Sequence, residues 1–570
     1  MKKFINKLKN IEKEKIVIII LVILSMFPLY YPGFIYTHDG IIHLFRTMGE
    51  YENIVNFDFG NKIYYNMING FGYGWGIFYP QLSAIIPALF MVLGFSLFTA
   101  QKLFIILAGV LAGIFSYKLF KELIKNNFCA MLMSILYILA PYKINQIIIR
   151  GAMGEILLFT FLPLVILGII KILNKEFKYK YLLILGAVGI AYSHIISLVY
   201  TAIFSFIFLI VNYKKLFDKK VILEFLKCAI IIFLIILPVI VPIADHQMTN
   251  LYNVNDMTIV DVADRIVHPG QLIIGSIEGK KIESTGYFSN DKEMNYMIGL
   301  TAILILSLFP FAYKKIKENN ESKEFGKYFI MLLISIVMLT VPFIWNKIEL
   351  LDVIQFPFRI LTFSVLFITI ISGYVIKALI NKENKYSLFL LITFFSFIFV
   401  FFIGIKTEFA KTLNQEFNFK NQEILTIEDA GKMKFSLGYS YEYLPKSTTE
   451  AIIVSRGSSI LSEQDIVINS QEIINNKFNA KLTTLSENTI IELPYIYYKG
   501  YSIKLDEKSI KYNISKNGFI EINIPNNGEH EVNLKYTGTI LYNIFNIISL
   551  MVFTFATYYY IIYPKRKYKV

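Results

Sequence analysis

Residues 16–46 begin with the unbroken apolar run Ile16-Val-Ile-Ile-Ile-Leu-Val-Ile-Leu24. They end in Thr37-His38-Asp39-Gly40-Ile41-Ile42-His43-Leu44-Phe45-Arg46, an acid, two imidazoles and a guanidinium just past the mouth of that run. A bilayer crossing takes about 20 mostly apolar residues, so the first half reads as a membrane span and the second as the start of a loop. Ionisable groups at a membrane boundary cost several kcal/mol unless wetted, paired or put to use, so their concentration here points to a reaction site. The plainer alternative is an ordinary polar loop leaving a helix.

The same apolar character runs through most of the chain. Of 570 residues, 55% are hydrophobic and only 17% charged, with 50 Phe and 38 Tyr. Spans are expected near 16–35, 80–97, 101–119, 128–142, 156–172, 181–193, 195–211, 222–243, 296–312, 328–345, 360–378, 386–405 and 541–563. This makes a polytopic α-helical membrane protein with about 12–13 crossings.

The net charge of +14 does not indicate nucleic acid, because the excess sits in short loops flanking the spans. Lysines at 2–15, 171–180, 214–220, 314–327, 377–385 and 565–569 place those loops and both termini in the cytoplasm by the positive-inside rule. Loops 36–79, 143–155, 244–295, 346–358 and 406–540 then face outward. The basic stretch 118–125 conflicts with this parity unless one of the two preceding segments lies in the membrane interface. No small-residue cleavage site follows the first apolar run, so it is expected to stay as an anchor. Cys129 and Cys228 fall in or beside spans and supply neither a disulfide framework nor a CxxC metal site.

Three regions follow: a transmembrane part, 1–405, an outer region, 406–540, and a last span with a basic cytoplasmic tail, 541–570. In the outer region Ile520, Ile522 and Ile524 share one face and Glu521 and Asn523 the other, the period of a half-buried strand. Asn527-Gly528 marks a turn before the alternating Val532, Leu534 and Tyr536, which predicts a hairpin in a small β-sandwich. The stretch Leu493 to Tyr501 offers tyrosines either for sugar stacking or, with more weight, for the strand core.

Only six of the 56 basic residues are arginine: Arg46, Arg150, Arg265, Arg359, Arg456 and Arg566. Where a lysine-rich chain still uses a planar guanidinium, bidentate grip on phosphate or carboxylate is one reason and codon chance another. In Arg150-Gly-Ala-Met-Gly-Glu155 the glycines allow close backbone approach, and Glu155 either serves the chemistry or simply opens the next helix beside Arg150. Gln355-Phe-Pro-Phe-Arg359 places Arg359 at the outer end of a span, to hold an anionic head group or to anchor by snorkelling. His194 lies at a break in an apolar stretch, as a ligand, a relay or a hydrogen-bonded structural group. Asp245 and His246 are weaker candidates of the same kind.

Together the motifs from Thr37, Gly72-Tyr-Gly-Trp-Gly-Ile-Phe-Tyr-Pro80, Arg150 to Glu155, Ser193-His194 and Gln355 to Arg359 resemble bacterial 6-pyruvoyl-tetrahydropterin synthase-related membrane proteins. The Leu493 to Tyr501 strand and the returning last span are similar to YfhO-like proteins, so the resemblance covers nearly the whole chain. The family name does not denote its activity, because the soluble pterin synthase has a three-histidine zinc site and no HxH pair occurs here. What the resemblance implies is the GT-C glycosyltransferase architecture, with a long first outer loop opening on an acid and sugar transfer from a polyprenyl-phosphate carrier. It places the catalytic acid at Asp39 and a second acid at Glu155. Arg46, Arg150, His194, Gln355 and Arg359 would bind substrate or phosphate, and Asp39, His38 and His43 are candidates for a divalent Mg or Mn ion. The expected partners are membrane lipid, the carrier-linked sugar and a cell-surface glycan or lipid acceptor in a bacterial cell membrane. A lipid or polysaccharide transporter and a non-catalytic envelope-assembly protein are the competing readings; no convincing internal repeat favours the transporter.

Overall fold

The computed structural model describes residues 12–30, 33, 37–256, 262, 266–274, 296–347, 355–406 and 441–562. Arg265, Arg566, most of loop 244–295 and residues 407–440 therefore lie outside the described residues.

The long apolar runs fold as helices because nothing inside them competes for the backbone, and polar side chains mark their ends. The helices that matter here are α1 (Lys13–Ser25), α2 (Gly40–Val55), α3 (Leu82–Val92), α4 (Leu97–Ile124), α5 (Asn127–Ile138), α6 (Pro141–Arg150) and α7 (Met153–Leu173). After them come α8 (Tyr181–Ala191), α9 (Ile195–Val211), α10 (Lys219–Gln247), α11 (Ser322–Thr340), α12 (Leu361–Leu379), α13 (Lys385–Lys406) and α14 (Ile540–Thr557). Ser96 caps α4 through the Thr99 N–H, and Asn126 caps α5 through the Cys129 N–H at 3.0 Å. Among the described residues five helices are long and apolar enough to cross a membrane, or six if the pair α5 and α6, bent by 43°, is one broken span.

Helices α7 and α12 form the centre, buried on nearly every side, as expected of helices that are apolar all round. The pair α10 and α14 lies at the periphery and turns Leu226, Ile230, Phe233, Leu550 and Phe555 outward. An exposed apolar surface of this extent suits lipid rather than water. Helix α3 packs along α2, the helix of the first long loop.

The C-terminal strands form two antiparallel sheets, β1 (Leu461–Ser462), β4 (Thr489–Ile496), β8 (Phe519–Ile524) and β7 (Asn513–Ile514) in one. The other orders β2 (Ile466–Ile474), β3 (Lys477–Thr484), β9 (Gly528–Tyr536), β5 (Tyr501–Leu505) and β6 (Lys508–Ile510). The expected inward faces hold: Ile520, Ile522, Ile524, Val532, Leu534 and Tyr536 are all buried. The expected hairpin does not, because β8 pairs with β4 and β7 while β9 pairs with β3 and β5. Pro525 to Asn527 carry the chain from one sheet to the other, held by Asn488 N–H on Pro525 O and by Thr484 Oγ1 on Asn526 O, both at 3.0 Å. Placing the two strands in opposite sheets buries both apolar faces against each other, which one shared sheet would not do.

This β-module rests on residues 60–80 of the first loop. Ile496 N–H donates to Phe71 O at 2.9 Å, Tyr536 N–H to the Tyr65 hydroxyl at 3.0 Å, and Phe71 packs edge-on to Phe519. Tyr495, Tyr498 and Tyr501 are buried in this junction, so their stretch serves the core rather than an open sugar platform.

Candidate functional site

The site starts as a backbone pairing between two loops distant in sequence. His38 N–H donates to Ile149 O at 3.0 Å and Asp39 N–H to Arg150 O at 2.7 Å, which fixes the first-loop acid beside the end of α6. Residues Gln146–Arg150 form a π-helical turn, and Gly151 leaves it in the left-handed region at φ 65°. A Cβ there would fall 2.1 Å from Thr37 Oγ1, so only glycine admits this close approach. Gly154, in the first turn of α7, is as confined, with a Cβ there 2.8 Å from Ser193 O and 3.1 Å from the Tyr79 hydroxyl. Both glycines of the Arg150 to Glu155 motif thus let neighbouring segments of this chain come close.

Charged side chains then converge on Glu155. Its Oε1 accepts from Arg150 Nη1 and from Arg359 Nε, each at 2.8 Å, and its Oε2 accepts from Gln146 Nε2 at 3.0 Å. Arg150 also reaches Gln146 Oε1 at 3.1 Å and Asp39 Oδ2 at 3.4 Å, and Arg359 reaches Gln355 Oε1 at 3.4 Å. Phe358 lies under Arg150 at 5.1 Å and Phe356 under Arg359 at 4.8 Å, adding cation–π contacts. Five of the candidates, Asp39, Arg150, Glu155, Gln355 and Arg359, are thus one connected cluster.

Within it the two acids differ. Glu155 is buried and its charge is compensated by two guanidinium groups, which makes it a clamp on the arginines and a poor base. Asp39 takes one long bond, its side chain keeps 35% exposure, and Oδ1 has no hydrogen-bond partner among the described residues. The enclosing protein pushes the Asp39 carboxyl up, opposed by the Arg150 guanidinium. A raised, partly free carboxylate is suited to take a proton.

Around this cluster stand His194, His43, Arg46 and Tyr79. His194 caps α9, its Nδ1 accepting from Ser197 N–H at 3.2 Å, so the ring proton belongs on Nε2. His43 Nε2 accepts from Met153 N–H at 3.3 Å, its Nδ1 lies 3.2 Å from Arg46, and burial with that guanidinium holds the ring neutral. Arg46 is fully buried, donates to Pro80 O and Ser83 Oγ, and has no carboxylate in ion-pair range among the described residues. Its guanidinium lies 4.0 Å from the Tyr79 ring centre. Arg46 therefore supports the wall of the site instead of meeting a ligand directly.

The expected metal trio is not assembled. Among the described residues no group of three His, Cys, Asp or Glu is placed to hold an ion, and His43 Nε2 is taken by the Met153 N–H at the start of α7. Asp245 and His246 stand elsewhere, bonded to Lys499 and Tyr542. Arg456 is spent on Glu492 Oε1 and O and on the carbonyls of Gly457 and Ser459.

Three site residues were not singled out from sequence. Gln146 stands four residues before Arg150, the spacing that puts two side chains on one helical face. Tyr79 lies inside the 72–80 motif. Glu442 enters from the segment before the β-module, its carboxyl raised by burial and secondarily by the Asp39 charge, and no local pattern announces it.

No protein-family model matches the chain. An uncharacterized protein of Lactococcus lactis subsp. cremoris (strain MG1363) is 26% identical over 214 residues, which is 36% of this chain and 34% of that protein. The similarity thus spans about a third of the relative's length.

Proposed function

We propose that this chain is an integral-membrane glycosyltransferase of GT-C-like architecture, akin to the YfhO-like and 6-pyruvoyl-tetrahydropterin synthase-related proteins. It moves a sugar from a polyprenyl-phosphate carrier to a cell-envelope acceptor at the outer face. The observation that carries the reading is the meeting of four motifs, from residues 37, 150, 193 and 355, in one cluster where Arg150 reaches the partly free Asp39 carboxylate and Glu155 holds both Arg150 and Arg359.

The chemistry follows from those groups. The acceptor hydroxyl attacks the anomeric carbon while Asp39 takes its proton, and the bond from that carbon to the phosphate oxygen breaks. Negative charge builds on the departing carrier phosphate, where Arg150 and Arg359, held in place by Glu155, oppose it.

The topology proposed with this function has α3 lying along the membrane surface beside α2. That leaves about twelve crossings and puts every lysine-rich stretch, 118–125 included, in the cytoplasm with both termini, and the β-module outside. The direct test is Asp39→Asn expressed in membranes of a deletion strain. Loss of a surface-glycan modification by about 10²-fold or more is expected at unchanged protein abundance. Full retention of the modification would rule out Asp39 as the base.

A further inference from the structure

Two hydrogen-bond donors beside Gly154 are unused by the protein. The Tyr79 hydroxyl has no hydrogen-bond partner among the described residues, although it sits 3.1 Å from where a Gly154 Cβ would lie. The His194 side chain is 6% exposed, its Cβ is also 3.1 Å from that point, and its Nε2 has no partner among the described residues. The two rings are 5.8 Å apart between centroids. Each can donate outward, the imidazole through Nε2–H and the phenol through its O–H, and no described residue supplies either with an acceptor. What both lack is an oxygen.

Their setting selects for a charged one. The pair lies at the first turn of α7, a helix of 21 residues whose N-terminal dipole favours an anion. Arg46, buried and with Nε unpaired, backs the Tyr79 ring at 4.0 Å. Burial pushes the Tyr79 phenol up to about 12, so it stays protonated and donates.

We propose that Tyr79 and His194 form a two-donor subsite for a phosphate oxygen of the ligand, with Arg46 as a positioning residue behind the Tyr79 ring. The ligand class, a polyprenyl monophosphate or its glycosyl ester, rests on the glycosyltransferase reading above. The hydroxyl supplies specificity for the phosphate end of the carrier, leaving Asp39 free for the acceptor.

The test uses the full chain in nanodiscs and three probes: a polyprenyl monophosphate, the same polyprenol without phosphate, and inorganic phosphate. The unsubstituted protein is expected to bind the monophosphate over the alcohol. Tyr79→Phe, which keeps the ring on Arg46, is expected to lose about tenfold of that preference while binding the alcohol unchanged. His194→Gln is expected to lose a similar factor, and equal melting temperatures confirm that each variant is folded. Preference retained by Tyr79→Phe overturns the subsite and leaves the glycosyltransferase reading standing. No preference in the unsubstituted protein overturns both. Tyr79-dependent binding of inorganic phosphate with no gain from the polyprenyl chain supports the subsite and assigns it to free phosphate, against the carrier lipid.

Discussion

Two places in the molecule use nearly the same residue types and end in different chemical states. At the junction of α10, α14 and the β-module, Asp245, His246, Lys499 and Tyr542 are all engaged. Lys499 Nζ and the Tyr542 hydroxyl both donate to Asp245, while His246 bonds Pro242 O through Nδ1 and accepts from Lys499 N–H through Nε2. Around α7 an acid, two imidazoles, cations and a tyrosine also meet, but Asp39 Oδ1, the Tyr79 hydroxyl and His194 Nε2 have no hydrogen-bond partners among the described residues. A closed network fastens two parts together; an open one awaits a ligand. Residue type alone does not separate the two, whereas the count of unsatisfied donors and acceptors does.

The largest effect that sharpens this contrast lies inside the open site. Glu155→Gln removes the charge that two buried guanidinium groups share, and breaking a buried pair in this way costs about 3–5 kcal/mol. Denaturation of the purified protein in detergent should show that loss, whereas Asp39→Asn should stay within about 1 kcal/mol, since Asp39 makes one long contact from a partly exposed position. If both variants unfold alike, Glu155 is not the clamp.

At the closed junction the expected change is smaller. Asp245→Asn weakens the ion pair with Lys499, in which both side chains are about a third exposed, and the bond from the buried Tyr542 hydroxyl, for about 1 kcal/mol. Its signature is local: faster hydrogen exchange in β5 and in the first turns of α14, with phosphate preference untouched. Altered ligand binding with unchanged exchange would mean that this junction, too, is a site.

The helices and the strand faces were legible because burial imposes a period on the sequence, and Ile520, Ile522 and Ile524 show it. Pairing was not. The Asn527-Gly528 signal marks a turn, yet which sheet receives the next strand depends on apolar faces elsewhere that no local pattern encodes. Asp39, Arg150, Glu155 and Arg359 were legible as polar residues at span ends, but their separate roles were not. Glu155 became a clamp only through Arg359, 204 residues away, and Arg46 was expected at a ligand but is walled in by Pro80 and Ser83.

The smallest effect concerns Glu52, near the far end of α2 from Asp39. Its carboxylate accepts from Asn66 Nδ2 at 2.6 Å, and burial pushes it from an ordinary 4.5 up to about 8. An acid whose pKa is higher folded than unfolded takes up protons on folding, so stability falls as pH rises between about 4.5 and about 8. Glu52→Gln, which cannot ionise, should flatten that part of the stability profile and raise stability at pH 8 relative to pH 5. Asp39 is raised as well, but it stands in the proposed ligand site, so phosphate binding should alter its share of the slope and leave the Glu52 share unchanged. Denaturation profiles from pH 5 to 8, with and without polyprenyl monophosphate, separate the two acids. An unchanged slope in Glu52→Gln would mean that its carboxylate is as well solvated folded as unfolded.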